Sequence, residues 1–368
     1  MSAGTERGTE QRPDTDSALD VSLPSVDSPA SELPSWAPWA LLGFAAVVVG
    51  GGTLLLGRGI GLAVAFTAVG YGLAMWGTSR VVEGPRRAAD RLVTVVVTVA
   101  FLIAMAPLVS VVVTVLANGI ARFDAQFFTY SMRGVVGEGG GAYHAIIGTV
   151  IITALAGIMA IPVGLMTAVY LVEYGRGRLP RAITFFVDVM TGIPSIVAGL
   201  FAFALFALFA GPGIRMGFMG SVALSVLMIP VVVRSTEEML KIVPNEPREA
   251  SYALGAPKWR TITKVVIPTA IAGIASGITL AIARVIGETA PLLIAVGITT
   301  GVNLNPFDSR MATLPVFSYY SYVAPGVPRE PFIDRAWTAA LVLIILVMVL
   351  NIVARLIARL FAPKTAGR

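Results

Sequence analysis

Apolar residues run along this chain in long blocks separated by short polar links, and the length of the blocks is the first clue. A hydrocarbon layer about 30 Å thick needs ~20 apolar residues in helical form. Blocks of that order stand at 36–56, 60–78, 92–117, 143–172, 182–210, 218–233, 269–298 and 336–361. The turn Gly57-Arg58-Gly59 joins the first two, and Pro107 interrupts the third. Several are rich in Val and Ile, yet runs of this length are helical in lipid, because a helix satisfies its own backbone there. The pattern predicts an all-α, polytopic helical membrane protein with eight spans.

Composition agrees. Of 368 residues 56% are hydrophobic and 13% charged, against roughly a quarter charged in a soluble domain. With no Cys and a single His, His144, there is no disulfide framework, no thiolate nucleophile and no Cys- or His-paired metal site. His144 begins a span at the interface and is assigned no task. The net charge of +6 does not point to nucleic acid, because the positive residues lie between spans, where they set orientation. With the amino end in the cytoplasm, 19 of the 27 Lys and Arg fall on that side, among them Arg80, Arg86, Arg87, Arg91, Arg176, Arg178 and Arg181. Both termini are then cytoplasmic, in the cell's inner or plasma membrane.

Residues 1–35 hold seven acids against Arg7 and Arg12 and have too little apolar surface to fold alone, so they are expected to be a disordered acidic cytoplasmic tail. On the outer side, Gly137-Glu138-Gly139-Gly140-Gly141 reads first as a flexible connector and second as an anion cradle built from backbone N–H groups. Tyr319, Tyr320 and Tyr322 fit either an interfacial belt or a docking surface for an external partner.

The most patterned segment is the cytoplasmic loop 237–268. A short helix over 248–254 is stopped by Gly255, and Pro257 then opens a second helix over 258–267 with Trp259, Ile262, Val265 and Val266 to one side. A helix–turn–helix knob of this kind suits a groove on a partner protein. Nothing in the chain hydrolyses ATP by itself: none of the lysines (Lys241, Lys258, Lys264, Lys364) ends a glycine-rich phosphate loop.

Glu249-Ala250-Ser251, three residues, Gly255, nine residues and then Val265-Val266-Ile267-Pro268 resembles the EAA motif of ABC importer permeases. Ser251 replaces the second Ala, Val265 an Ile and Ile267 a Leu. The resemblance implies that Glu249, Ala250, Ser251, Gly255 and Pro268 belong to a coupling helix seated in a cleft of a cytoplasmic ATPase. ATP would then be bound by that partner, and this chain would be a transport subunit without cofactor or metal.

Arg284 stands sixteen residues past Pro268, about 24 Å along a helix. A charge at that depth costs on the order of 3 kcal/mol and usually faces a polar pathway. Glu288, one turn on, would share its face. The residues leave two readings: a structural ion pair closing a helix contact, or a guanidinium offering forked donors to a tetrahedral oxyanion. Arg284-x-x-Gly287-Glu288-Thr289-Ala290-Pro291-Leu292-Leu293 is similar to the PstA type of permease from phosphate ABC importers. So are Thr313-Leu314-Pro315, Gly192-Ile193-Pro194-Ser195 and Tyr170-Leu171-x-Glu173-Tyr174. That resemblance implies a six-helix core over 91–362, preceded by an extra hairpin at 36–78. It further implies a phosphate pathway through Arg284 with Glu288 beside it, and three partners: a second homologous permease, an ATPase dimer and an extracytoplasmic phosphate-binding protein. Importers of other oxyanions (sulfate, molybdate) and an ion-coupled secondary carrier are the rivals. Asp188 is expected to pair with a cytoplasmic-side Arg rather than with Arg284, and Glu173 to pack near the coupling loop.

Overall fold

The computed structural model of the chain describes residues 32–361. The acidic stretch 1–31, which makes up most of the expected tail, lies outside the described residues, as do the residues after Phe361. Two compact units divide at Ser110/Val111.

In the first unit, α1 (Ala37–Leu55) and α2 (Ile60–Val82) form a hairpin through the Gly57-Arg58-Gly59 turn, followed by the opening part of α3 (Pro85–Arg122). The helix α3 runs without a break through Pro107. Hydropathy reads that proline as an interruption, but a membrane helix tolerates one where the freed backbone groups find other partners. Large apolar side chains such as Phe44, Val47, Val97 and Phe101 stay exposed along these helices, as expected where the solvent is lipid. The polar link between α2 and α3 is ordered instead. The Glu83 carboxylate accepts from Arg91 Nε and Nη2, both at 2.6 Å, from Ser79 Oγ at 2.7 Å and from the Leu33 amide at 2.9 Å. The Arg91 hydrogen bonds, chiefly, hold Glu83 down to about 2, well below the usual carboxylate range.

The second unit holds α4 (Tyr143–Tyr174), α5 (Arg178–Thr191), α6 (Ser195–Ala210), α7 (Gly217–Ile242), α8 (Glu246–Ala253), α9 (Lys258–Ile286), α10 (Ala290–Ala295), α11 (Leu314–Val323) and α12 (Glu330–Phe361). The central element is α7, packed against α4, α9, α6 and α10. Its Met219, Leu224, Met228 and Val232 meet Ile152, Ala156 and Ala160 of α4, Ala281 and Val285 of α9, and Leu292 and Val296 in one core cluster.

Among the described residues seven helices are long and apolar enough to cross a membrane, with an eighth crossing if α5 and α6 are taken together. The apolar block 182–210 is therefore not one straight span, because α5 and α6 meet at 107°. Gly192 ends α5, and Pro194, itself extended with ψ 137°, disfavours helix at the residue before it. The pair still returns the chain from the Glu173 end of α4 to the start of α7, where the Phe218 amide donates to the Pro306 carbonyl at 2.7 Å. The block 269–298 is also corrected. Its helix starts eleven residues earlier, at Lys258, and ends at Ile286.

Candidate functional site

The elbow between α7 and α9 is built by local chemistry. Gly255 adopts φ +75°, a left-handed conformation that costs other residues about 1–2 kcal/mol. It donates its N–H to the Tyr252 carbonyl (2.9 Å), and the Ala256 N–H reaches the Ser251 carbonyl at 3.2 Å. These two bonds are the Schellman pattern of a helix ending in glycine. The second arm is not a separate surface helix over 258–267. It continues unbroken into the span, with a π-turn at Ile262–Val266 just ahead of Pro268. A wider turn accommodates a residue that has no N–H to return to the preceding turn. Ser251 Oγ and Thr261 Oγ1 lie 2.8 Å apart and tie the two arms together, a bond that alanine at 251 would not make.

The elbow is fixed to the end of α4. Arg248 lies 3.1 Å from the Glu173 carboxylate and donates to the Leu240 carbonyl at 3.0 Å. Lys258 donates to the Glu173 carbonyl and sits 4.8 Å from the centre of the Tyr174 ring. Glu173 does pack at the loop, as the sequence suggests; its partners Arg248 and Lys258 were not foreseen, since nothing local pairs residues some 75–85 positions apart. Glu249, Ala250, Gly255 and Pro268 are exposed, and Leu254 is 89% and Trp259 57% exposed. A rigid, capped turn thus presents an apolar tip with an acid beside it.

At the opposite end of α9 Arg284 occupies the last turn and is exposed. The expected shared face with Glu288 is not found. The helix stops at Ile286, Gly287 caps it, and Glu288 lies half-buried in the break before α10, its amide donating to the Val285 carbonyl at 3.1 Å. Pro291 explains the stop: it lacks the N–H that would bond to Gly287, and it disfavours helix at the preceding residue. The i,i+4 pairing of a continuous helix does not apply here. Among the described residues Arg284 is in no ion pair.

Other charges are engaged. Asp188 pairs with Arg234, which also meets Glu237 at 2.7 Å, and Glu237 meets Lys241 at 2.7 Å. Asp188 therefore holds a basic residue one turn or more from the elbow, not Arg284. The glycine run is neither a loose connector nor an N–H cradle. It turns its carbonyls inward: Gly137 and Gly139 accept from Arg335 Nη1 at 2.9 and 2.7 Å, and Gly139 and Gly140 accept from Arg122 at 3.3 and 3.0 Å. Positive φ at Gly137, Gly139 and Gly140 makes that geometry possible. Arg335 is fully buried with its guanidinium 4.4 Å from the centre of the Phe332 ring. His144, at the start of α4, is buried inside the protein: it is 1% exposed, edge-on to Phe317 at 5.4 Å, and lines a cavity of about 220 Å³ with Tyr320 and Phe332.

Residues 160–367 match the family described as the binding-protein-dependent transport system inner membrane component. The chain is 50% identical over 271 residues to the phosphate transport system permease protein PstA of Mycobacterium leprae, covering 72% of this chain and 87% of that relative. It is 36% identical over 239 residues to the PstA protein of Pasteurella multocida, covering 65% and 83%. Among solved structures, a bacterial alginate ABC transporter in complex with an alginate-pentasaccharide-bound periplasmic protein shares the fold. Its TM-score is 0.53 at 12% identity, over 77% of this chain and 99% of that one.

Proposed function

The chain belongs to the inner-membrane components of binding-protein-dependent transport systems, and within them to the PstA-type permeases, and from that premise we propose that it forms part of the transmembrane route for inorganic phosphate in an ATP-driven importer. It is a transport subunit rather than a catalyst. The single observation that carries the proposal is the continuity of α9: one helix, Lys258–Ile286, joins the elbow to Arg284.

A helix of that length is a lever. A cytoplasmic ATPase dimer that grips Glu249, Ala250, Ser251, Gly255 and the exposed tip around Leu254 moves α9 as a rod when it closes on ATP. The far end, about 39 Å from Lys258 at 1.5 Å per residue, then carries Arg284 between an outward and an inward setting. Arg284 supplies a forked, permanently charged donor set for a tetrahedral oxyanion. Lacking an ion-pair partner among the described residues, it is free to take the anion and release it. Glu288 stands beside that route without sharing its helix. A second homologous permease closes the other side of the pathway, an external binding protein delivers phosphate to the glycine-loop end, and both termini face the cytoplasm.

Reconstitution tests this directly. Vesicles holding the complete complex should take up labelled phosphate only with internal ATP and external binding protein, and excess sulfate or molybdate should not compete. Uptake by this chain alone would favour the ion-coupled carrier, and competition by sulfate the other-oxyanion importer. Because the chain has no Cys, Leu254→Cys gives a single reporter, which an impermeant thiol reagent should reach only from the cytoplasmic side.

A further inference from the structure

A cavity of about 460 Å³ opens between α7, α9 and α12, lined by Ser235 and Glu238, by Ser276 and Leu280, and by Asn351 and Arg355. Its position on α9 matters. Ser276, Leu280 and Arg284 are spaced by four residues and so form one stripe on the helix. All three are exposed, whereas Ile274, Ala281 and Val285 on the other faces are buried. The cavity and Arg284 thus lie on the same open face, with Ser276 about 12 Å nearer the elbow than Arg284. Glu238 falls in the last two turns of α7 before the elbow, so the cavity lies on the elbow side of Arg284.

A charged side chain near the end of a membrane helix commonly snorkels to the interface; here Glu238 and Arg355 line one cavity together with Ser235, Ser276 and Asn351, the setting in which intramembrane charges mark a polar route. Glu238 and Arg355 are both exposed, and among the described residues neither is in an ion pair. Ser235, Ser276 and Asn351 add neutral polar groups between them. We propose that this cavity is a release site for the transported oxyanion, with Arg355 as a second cationic station below Arg284 and Glu238 as the group that limits its hold. This rests on the phosphate reading above and extends it. An anion leaving Arg284 moves down the Ser276–Leu280 stripe to Arg355, where it accepts charge-assisted hydrogen bonds. The Glu238 carboxylate repels it and competes for the guanidinium, so it is held briefly and discharged toward the elbow end.

A release site binds its ligand from the inside, and this gives a readout that a purely structural Arg355 would not move. The complete complex is reconstituted in vesicles of phosphatidylcholine alone and in vesicles that also contain an anionic lipid. ATP-driven uptake of labelled phosphate is measured while the vesicles are preloaded with increasing unlabelled phosphate. Arg355→Gln should lower uptake per ATP hydrolysed about tenfold, the loss expected for a charge-assisted hydrogen bond, and should abolish inhibition by internal phosphate. Arg355→Lys should keep both. Glu238→Gln, which leaves Arg355 in place and so reports on the site even where Arg355→Gln fails to assemble, should make uptake several-fold more sensitive to internal phosphate. Unchanged internal inhibition in Arg355→Gln or in Glu238→Gln overturns the release site. Effects confined to vesicles with anionic lipid also overturn it and assign the cavity to a lipid headgroup. A wild-type complex that moves no phosphate overturns the functional reading as well.

Discussion

At one end of α9 Arg248 and Lys258 are held by Glu173 and Tyr174, and the turn between them is capped by two backbone hydrogen bonds. At the other end Arg284 is exposed and, among the described residues, in no ion pair. The elbow holds Arg248 and Lys258 in fixed contacts and leaves Glu249 exposed at its tip, so under the proposed function it would offer a partner a constant shape to grip. The far end leaves Arg284 in no ion pair among the described residues, on a helix that has just stopped, so under the proposed function a passing anion would find a donor set that no side chain already occupies. The lever proposed above would need both: a stiff handle and a working end whose contacts are made and broken in each cycle. Arg335 marks the contrast within one residue type. Unlike Arg284, it is buried on two glycine carbonyls and an aromatic ring and serves the architecture.

Breaking the handle should have the largest effect. Gly255→Asp forces a side chain into left-handed backbone and sets a charge at the tip; uptake should be abolished and the ATPase should no longer co-purify, with membrane levels of the chain unchanged. Glu173→Ala comes next. It removes the carboxylate partner of Arg248, a largely buried contact whose loss costs about 1–3 kcal/mol, and it should lower uptake several-fold while ATP hydrolysis runs on, measured as phosphate moved per ATP. Arg335→Met sharpens the contrast between guanidinium groups. It should lower thermal stability, by about 2 kcal/mol for the lost charge-assisted bonds, with phosphate moved per ATP unaltered in the folded fraction, as thermal unfolding in detergent and uptake together would show. The smallest effect on transport lies in the first unit. Glu83 has its folded-state pKa lowered from 4.5 to about 2, chiefly by Arg91. Its stabilising contribution is therefore complete above about pH 4.5 and is lost as the pH falls toward about 2. Glu83→Gln should lower thermal stability at pH 7, where the contact with Arg91 is fully formed, and its stability profile should converge on that of the wild type as the pH falls through that window, with phosphate moved per ATP unaltered.

Features set by short-range pattern were legible in the sequence. The elbow could be read because its turn is specified within ten residues, by Gly255 after a helix and Pro257 before the next. The spans could be read because apolar length alone decides them. The two breaks were harder. Gly192-Ile193-Pro194 and Gly287 to Pro291 carry the right signals, but they sit inside blocks so apolar that hydropathy runs straight across them, and the pairing of Glu288 with Arg284 was lost with the second break. Long-range pairings were not legible. Arg335 reaches Gly137 across 198 positions and Arg248 reaches Glu173 across the whole of α5, α6 and α7. His144 reads as interfacial from its place at the start of a span, and only the packing of Phe317 against it reveals a buried residue.

The role of the uncommitted guanidinium is tested most directly by Arg284→Gln in the assembled complex, with ATP hydrolysis, thermal stability and labelled phosphate uptake followed on the same preparation. Hydrolysis and stability should match the wild type while uptake falls at least about tenfold, the loss expected when a charge-assisted contact to the anion is removed. Wild-type uptake in that variant, or a loss of stability that accounts for the loss of transport, would contradict the account.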